Sequence, residues 1–161
     1  MAEAFEDRWN RKRSTLGFEG IGTEFVACET AMLPIKAAPF LSFKRAVRPV
    51  PIWDVFGAPS DWSVAERERL CPFVVIGSDG AGNPLCIEAG SGSVLLLDHE
   101  DRFHTRQFVN SSVGQLAECL LAYMGEREPE RFLAAVQAID PTALSEGTFW
   151  WHEADGLADD D

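Results

Sequence analysis

Four short apolar runs in the middle of the chain predict a β-meander. Glycine-rich or polar turns separate these runs, which are Phe73 to Ile76, Leu85 to Ile87, Val94 to Leu97 and Thr105 to Val109. Short strands joined by such turns pair with their neighbours in an antiparallel sheet. The third run, VLLL, shows no alternation of apolar and polar positions, which is typical of a strand buried on both faces. We therefore expect helices to cover both faces of the sheet.

Two helices are predicted before these strands. Residues 3–13 carry Phe5 and Trp9 four positions apart, the spacing of a narrow apolar stripe on a helix. A second helix is predicted to begin at Gly22 and Thr23 and to end at Pro34, because proline stops a helix. The apolar side of this second helix would carry Phe25, Val26, Met32 and Leu33.

The next segment gives weaker signals. Residues 38–43, APFLSF, predict a short strand. Prolines interrupt every apolar run over residues 44–70, so we expect at most edge pairing around Ile52 to Phe56. Trp53 and Trp62 are expected to anchor this loop to the core.

Two further helices are predicted after the meander. Ser111 or Ser112 can cap the first, which ends at Gly125, and the second covers residues 129–139. Their buried stripes would be Val113, Leu116, Leu120 and Met124 on the first, and Phe132, Leu133, Val136 and Ile139 on the second.

These elements predict one α+β domain. The chain has 161 residues, of which 46% are hydrophobic, enough for one core and few for two. We expect a twisted, mostly antiparallel sheet over residues 1–154, packed by N-terminal and C-terminal helices. Residues 155–161 are acidic and nearly without bulky side chains, so a disordered tail is predicted there.

The net charge of the chain limits the classes of partner that it is expected to bind. The formal net charge is −12, which disfavours nucleic acid and anionic membranes and allows a basic protein partner. No run of about 18 apolar residues could span a bilayer and the N-terminus lacks the apolar core of a signal peptide, so a cytoplasmic location is expected. The four cysteines form no CxxC pair and are interpreted as reduced.

The stretch VVIGSDGAGNP, residues 74–84, resembles a phosphate-binding loop only at first sight. Gly77 and Gly82 have the outer spacing of that motif, but Asn83 and Pro84 stand where lysine and a hydroxyl residue are needed. We interpret the stretch as a tight turn. In such a turn Gly77, Gly80 and Gly82 can adopt positive φ, while Asp79 and Asn83 bond nearby backbone N–H groups.

No catalytic residue, metal site or cofactor is predicted. Asp98, His99, Glu100 and Asp101 are adjacent, and adjacent side chains of an extended segment point to opposite faces, which hinders joint binding of one ion. Cys71 or Cys86 could be paired with His99 or His104, but no GxSxG elbow accompanies them. We interpret residues 98–101 as a polar turn in which His99 can make a hydrogen bond.

Several motifs together resemble the SUKH superfamily of bacterial immunity proteins. They are LPIKAAPFLSF (33–43), FVVIGSDGAGNPLCIEAGSGSVLLLDHE (73–100), FVNSSVGQLAECLLAY (108–123) and the AIDPTAL and FWW segments within 138–151. The resemblance covers about residues 20–152 in the family's order and departs from its common pattern at Ala81, where many relatives have glycine. It implies a single α+β domain that neutralises a toxin, often a nuclease, by binding it. It supplies no catalytic residues.

The leading hypothesis is therefore an immunity protein that binds a cognate toxin, expected to be a basic nuclease, through an acidic surface. Candidate contacts are the turn residues Asp79, Asp98, Glu100 and Asp101, and the acidic stretch with Glu126, Glu128 and Glu130. One alternative is a small enzyme or ligand-binding domain with a pocket near the Gly77–Gly82 turn and His99. Another is a regulatory scaffold without a toxin. The oligomeric state stays open.

Overall fold

The computed structural model describes residues 4–16, 24–29, 31–37, 41–44, 51–57 and 59–159. Within them the chain forms six helices and eight strands, in an α+β domain. In chain order the elements are α1 (Phe5–Leu16), β1 (Phe25–Cys28), β2 (Ala31–Pro34), β3 (Lys36–Ala37), β4 (Leu41–Phe43), α2 (Ile52–Val55), α3 (Val64–Leu70), β5 (Phe73–Ser78), β6 (Pro84–Glu88), β7 (Val94–Leu97), β8 (Arg106–Asn110), α4 (Val113–Gly125), α5 (Pro129–Ile139) and α6 (Phe149–Asp159).

The predicted meander is confirmed and is the centre of the fold. Six strands pair in the order β3-β4-β5-β6-β7-β8, each antiparallel to the next, and β1 and β2 form a separate hairpin. Val74 pairs with Ile87, and Leu95 pairs with Phe108. All four residues of β7 are buried, as the VLLL run predicts.

Helices cover both faces of this sheet, which confirms the second expectation. Alternate side chains of the strands enter two cores: Ile76, for example, packs into the larger core and its neighbour Val75 into the smaller one. The larger core contains residues of α1, the β1-β2 hairpin, α4, α5 and α6. The smaller core contains residues of α2 and α3 together with Trp62 and Phe103.

The helices predicted after the sheet are also confirmed. The Ser112 hydroxyl accepts a hydrogen bond from the Gln115 N–H and so caps α4, because the first N–H groups of a helix have no partner within it. Pro129 occupies the first turn of α5, where its fixed φ suits a helix. A 3₁₀ turn, Pro141–Leu144, then leads to α6.

The predicted helix ending at Pro34 is wrong. Residues 25–34 instead form the β1-β2 hairpin, with Val26 opposite Leu33, and Glu29 adopts a positive φ of 54° beside its turn. Val26 and Cys28 are buried while Ala27 between them is exposed, a period of two that is typical of a strand. Gly22 and Thr23 lie outside the described residues.

Residues 51–70 also differ from the prediction. Pro51 makes an isolated antiparallel bridge with Val74, and residues 52–55 are then helical rather than an edge strand. The prediction missed α3, which begins with a capping box: the Ser63 hydroxyl accepts from the Glu66 N–H, and the Glu66 carboxylate accepts from the Ser63 N–H. Trp62 is buried, as expected of an anchor.

The structure is helical over residues 155–159, where the sequence predicts a disordered tail. Helix α6 continues to Asp159, since Trp150, Ala154 and Leu157 recur at helical spacing and are all buried. Leu157 is 3% exposed and belongs to the larger core, so α6 contributes to that core as far as this residue. None of the helices in the described ranges combines the length and the apolar character needed to cross a membrane.

Candidate partner-binding surface

Two turns at one end of the sheet join into a single surface. The β5-β6 turn and the β7-β8 connection both leave the sheet at this end, because the strands alternate in direction. The side-chain oxygen of Asn83, Oδ1, accepts a hydrogen bond from the His99 N–H at 3.0 Å and lies 2.7 Å from His99 Nδ1. This contact fixes one turn against the other and confirms that His99 bonds at a turn.

Asp79 shapes the first of these turns. Its Oδ1 accepts hydrogen bonds from the N–H groups of Ala81 and Asn83, each at 2.9 Å, and its Oδ2 accepts from Asn83 Nδ2 at 3.0 Å. An aspartate that bonds the backbone two and four residues onward makes a turn rigid. Its carboxylate is therefore committed within the turn.

The glycines of this turn have different roles from those predicted. The positive φ falls on Gly82, at 87°, and not on Gly77 or Gly80. Gly77 lies in β5, where a Cβ atom would be 2.3 Å from the carbonyl oxygen of Ser42. Gly77 is thus required for the close approach of β4 to β5, beside the bulge that follows Val75.

Asp98 and Asp101 are likewise bonded to their own turn, which confirms the polar turn predicted for residues 98–101. Residues 99–101 form a 3₁₀ turn, and Asp98 accepts from the Glu100 N–H at 2.8 Å. Asp101 accepts from the hydroxyl and N–H of Thr105 and from the His104 N–H. The Thr105 hydroxyl is the largest cause that lowers the pKa of Asp101 below its usual value.

Glu100 differs from these three aspartates. Its side chain is exposed, and no hydrogen bond or ion pair of its carboxylate is found among the described residues. Its backbone N–H is held by Asp98, so the position of Glu100 is fixed while its charge faces solvent.

Glu126, Glu128 and Glu130 form a second acidic group. They lie in and after the connection between α4 and α5, helices that pack in the larger core, whereas the β7-β8 connection contributes Phe103 to the smaller one. Glu126 accepts from the Glu128 N–H, and Glu128 pairs with Arg131 at 3.2 Å. Within the described residues, these hydrogen bonds and ion pairs of Glu126 and Glu128 do not reach the two turns.

Arg102 is a residue of this surface that the sequence prediction missed. It adopts a left-handed φ of 57°, its Nε donates to Glu66 Oε2 at 2.6 Å, and its guanidinium lies 4.3 Å from the centre of the Trp62 ring. Arg69 adds hydrogen bonds to the carbonyl oxygens of Arg102 and Phe103. The hydrogen bond from Arg102 is the largest cause that lowers the pKa of Glu66 to about 2. The capping-box pattern from Ser63 to Glu66 was a readable signal for α3, but nothing local connects it with Arg102.

Two shallow depressions have Phe56 in common in their lining. The first, about 350 Å³, is lined by Phe43, Lys44, Val55, Val75 and Gly77 among others. The second, about 410 Å³, is lined by Asp61, Trp62, His99, Arg102 and Phe103. Both open to solvent, and we call Phe56 with these two depressions the Phe56 ridge.

This geometry gives little support to an acid/base site. The His99 ring bonds to the amide of Asn83 rather than to a carboxylate, and general acid/base catalysis needs a positioned proton donor or acceptor in reach of a substrate. In the part of the chain that the structure describes, no group of three or more His, Cys, Asp or Glu side chains is placed to hold a metal ion.

A buried polar network lies away from this surface, beneath α4 and α6. Asp140 is 1% exposed and accepts from Asn110 Nδ2 at 3.1 Å, from the Ser111 N–H at 2.7 Å and from the Ser111 hydroxyl at 2.8 Å. The other side of the Asn110 amide, Oδ1, accepts from the indole of Trp150 at 2.9 Å. The NSS, IDP and FWW segments therefore meet in one structural network.

Comparison with protein families now identifies the chain. The profile of the SUKH-4 immunity protein family matches residues 33–158. The chain belongs to the SUKH-4 immunity protein family. Comparisons with the curated proteins and with the solved structures give no match.

The family match confirms the resemblance seen in the sequence and supports an immunity function. It implies a toxin as partner in general terms and suggests a non-enzymatic role. The matched region begins within β2, so α1 and β1 precede it.

Proposed function

We propose that the protein is a cytoplasmic immunity protein that neutralises a cognate bacterial toxin by binding it directly. Membership of the SUKH-4 immunity protein family carries this proposal. Four residues of the family motifs, Asn110, Ser111, Asp140 and Trp150, bond to one another inside the fold. They therefore have a structural role, which fits a protein that acts by binding through its surface.

The toxin is proposed to be basic, as many nucleases are on their active surface. The net charge of −12 favours an oppositely charged partner. On the end of the sheet described above, Arg102 is paired with Glu66 while Glu100 is exposed. Complementary charge speeds association and disfavours partners of the wrong sign.

Co-expression tests this function. The gene beside that of this protein, if it encodes a toxin-like product, is expressed alone and together with this protein, and both growth and co-purification are measured. We expect growth to be rescued and the two chains to purify as a complex. A toxin that stays lethal, with no complex formed, would contradict the proposal, whereas a complex with a partner that is not toxic would favour the scaffold alternative.

Salt tests the charge of the partner separately. The rate of association between the two purified proteins is measured from about 0.02 to 0.5 M salt, a range over which the screening length falls from more than 20 Å to less than 5 Å. We expect the rate to fall steeply with salt. A constant rate would contradict a basic toxin without contradicting immunity.

A further inference from the structure

We propose that the Phe56 ridge is the surface on which the toxin docks, and that it takes a basic segment of the toxin that carries an apolar side chain. This inference rests on the proposed function and specifies the surface that performs it.

The centre of the ridge is apolar. Phe43, Val75 and Gly77 are buried beneath the first depression, and Val55, which is 41% exposed, forms its outer wall. An apolar centre inside a polar rim is the usual layout of a specific protein interface.

The ridge is also held rigidly before any partner arrives. The Phe56 ring meets the Phe103 ring edge to face, with their centres 5.1 Å apart, and the Phe56 carbonyl oxygen accepts from the indole of Trp62 at 2.8 Å. Trp62 in turn stacks on Phe103, and the Arg102 guanidinium lies over the Trp62 ring. A surface that needs no ordering on binding loses less conformational entropy, which favours affinity.

The rim of the ridge is acidic. Asp54 and Glu100 are exposed, adjoin lining residues in the chain and carry carboxylates for which the described residues offer no hydrogen bond or ion pair. Asp61 lines the second depression. Among the residues that the structure describes, the cations of the ridge lining are Lys44, at the first depression, and Arg102, whose charge is offset by Glu66 at 2.6 Å.

This charge selects the occupant. A second copy of the chain would bring another net charge of −12 against an acidic rim, and like charges placed together disfavour association. A lysine- or arginine-bearing segment is favoured by the same rim, and an apolar side chain beside those cations would fill the depression next to Val55.

Charge reversal tests the acidic rim. The probe is a catalytically inactive form of the toxin that this protein neutralises in the co-expression experiment. We expect the double variant Asp54→Arg/Glu100→Arg to raise Kd at least tenfold, mostly through slower association. The matched control is Glu130→Arg with Glu126→Arg, the same change of charge in the second acidic group, which we expect to alter Kd by less than twofold. The opposite pattern, with the control weakened and the ridge variant unchanged, would overturn the proposal.

A second pair of variants tests the apolar centre. Val55→Glu keeps the rim acidic but removes an apolar wall, and we expect at least a tenfold rise in Kd. Val64→Glu is its control, because Val64 is 72% exposed on α3 and lines neither depression. Circular dichroism spectra and Tm are measured for all four variants as a control for folding. We expect both to be unchanged, so that a rise in Kd reports lost binding and not lost folding.

The outcomes distinguish the two proposals. If the natural protein neutralises the toxin and all four variants bind equally well, the ridge is not the docking surface and immunity stands. If the natural protein binds no toxin from its genomic neighbourhood, both proposals fail. A dimer in solution that Val55→Glu dissociates would show that a second copy, not a toxin, occupies the ridge.

Discussion

The buried carboxylate of Asp140 allows a strong test of how the family's motifs hold the fold together. The change Asp140→Ala leaves the Ser111 N–H without its acceptor and leaves Asn110 Nδ2 with only the weak acceptor Cys119 Sγ at 3.4 Å. A buried donor without a partner costs about 1–3 kcal/mol, and removal of the carboxylate also removes the cost of burying its charge. The Ser111 hydroxyl is partly buried, so water can replace its bond. We expect the free energy of unfolding to fall by about 2–4 kcal/mol.

Urea unfolding followed by tryptophan fluorescence measures this change, since Trp150 belongs to the network. With a slope of about 2 kcal/mol per molar urea, the midpoint should fall by about 1–2 M. Asp140→Asn keeps one oxygen acceptor in place and should lose less.

Asp155→Ala is the matched control, because Asp155 is exposed on α6 and its change should alter the free energy of unfolding by about 0.5 kcal/mol or less. Midpoints for Asp140→Ala and Asp155→Ala that agree within error would refute the argument that this network stabilises the fold.

Three other predictions follow from the described contacts. Gly77→Ala should destabilise the fold by about 1–3 kcal/mol, because the added Cβ would press on the backbone of Ser42 and Phe43. The control Gly80→Ala, in the exposed turn, should change Tm little. Equal shifts in Tm for the two variants would contradict the close approach of β4 to Gly77. Arg102 lowers the pKa of Glu66 in the folded protein to about 2, from an ordinary 4.5, so their ion pair contributes stability above about pH 4.5 that is lost as the pH falls through about 2. The difference in unfolding midpoint between the natural protein and Glu66→Gln should therefore shrink over that range. A difference that does not depend on pH would contradict this prediction. Burial raises the pKa of the Cys28 thiol to about 11 and those of Cys86 and Cys119 to about 12. A thiol reagent at pH 8 should therefore label only the exposed Cys71 rapidly in the folded protein, and all four cysteines in denaturant. Rapid labelling of a second cysteine in the folded protein would contradict the burial of the other three.

The strands of the meander could be predicted because each apolar run is short and ends in turn residues. The same reasoning failed for residues 25–34. Apolar residues at 25, 26, 32 and 33 fit one side of a helix as well as a two-stranded hairpin, and short apolar runs do not separate the two by spacing alone. The deciding interaction is tertiary, since Val26 and Leu33 pack with α4 in the larger core.

The smaller core could not be predicted for a different reason. Its ion pair joins Arg102 to Glu66 across 36 residues, and its stacked rings, Trp62 and Phe103, are also far apart in the chain. No local pattern connects such residues. The Phe56 ridge depends on these contacts, so the sequence could suggest acidic turns at this end of the sheet but not the apolar surface between them.

The four acidic residues chosen in the two turns at this end of the sheet divide by side-chain length. Aspartate is short enough to reach the N–H groups of its own turn, and Asp79, Asp98 and Asp101 all do so. Glutamate is one methylene longer, and Glu100, in the same turn as two of these aspartates, leaves its carboxylate in solvent. A partner that needs an uncommitted negative charge would therefore contact Glu100 before any of the three. For that reason Glu100→Arg alone should weaken toxin binding, whereas Asp79→Asn, which keeps one acceptor for the turn, should leave it within twofold; a larger effect of Asp79→Asn in a variant with unchanged Tm would show that the toxin reads the turn's own carboxylates.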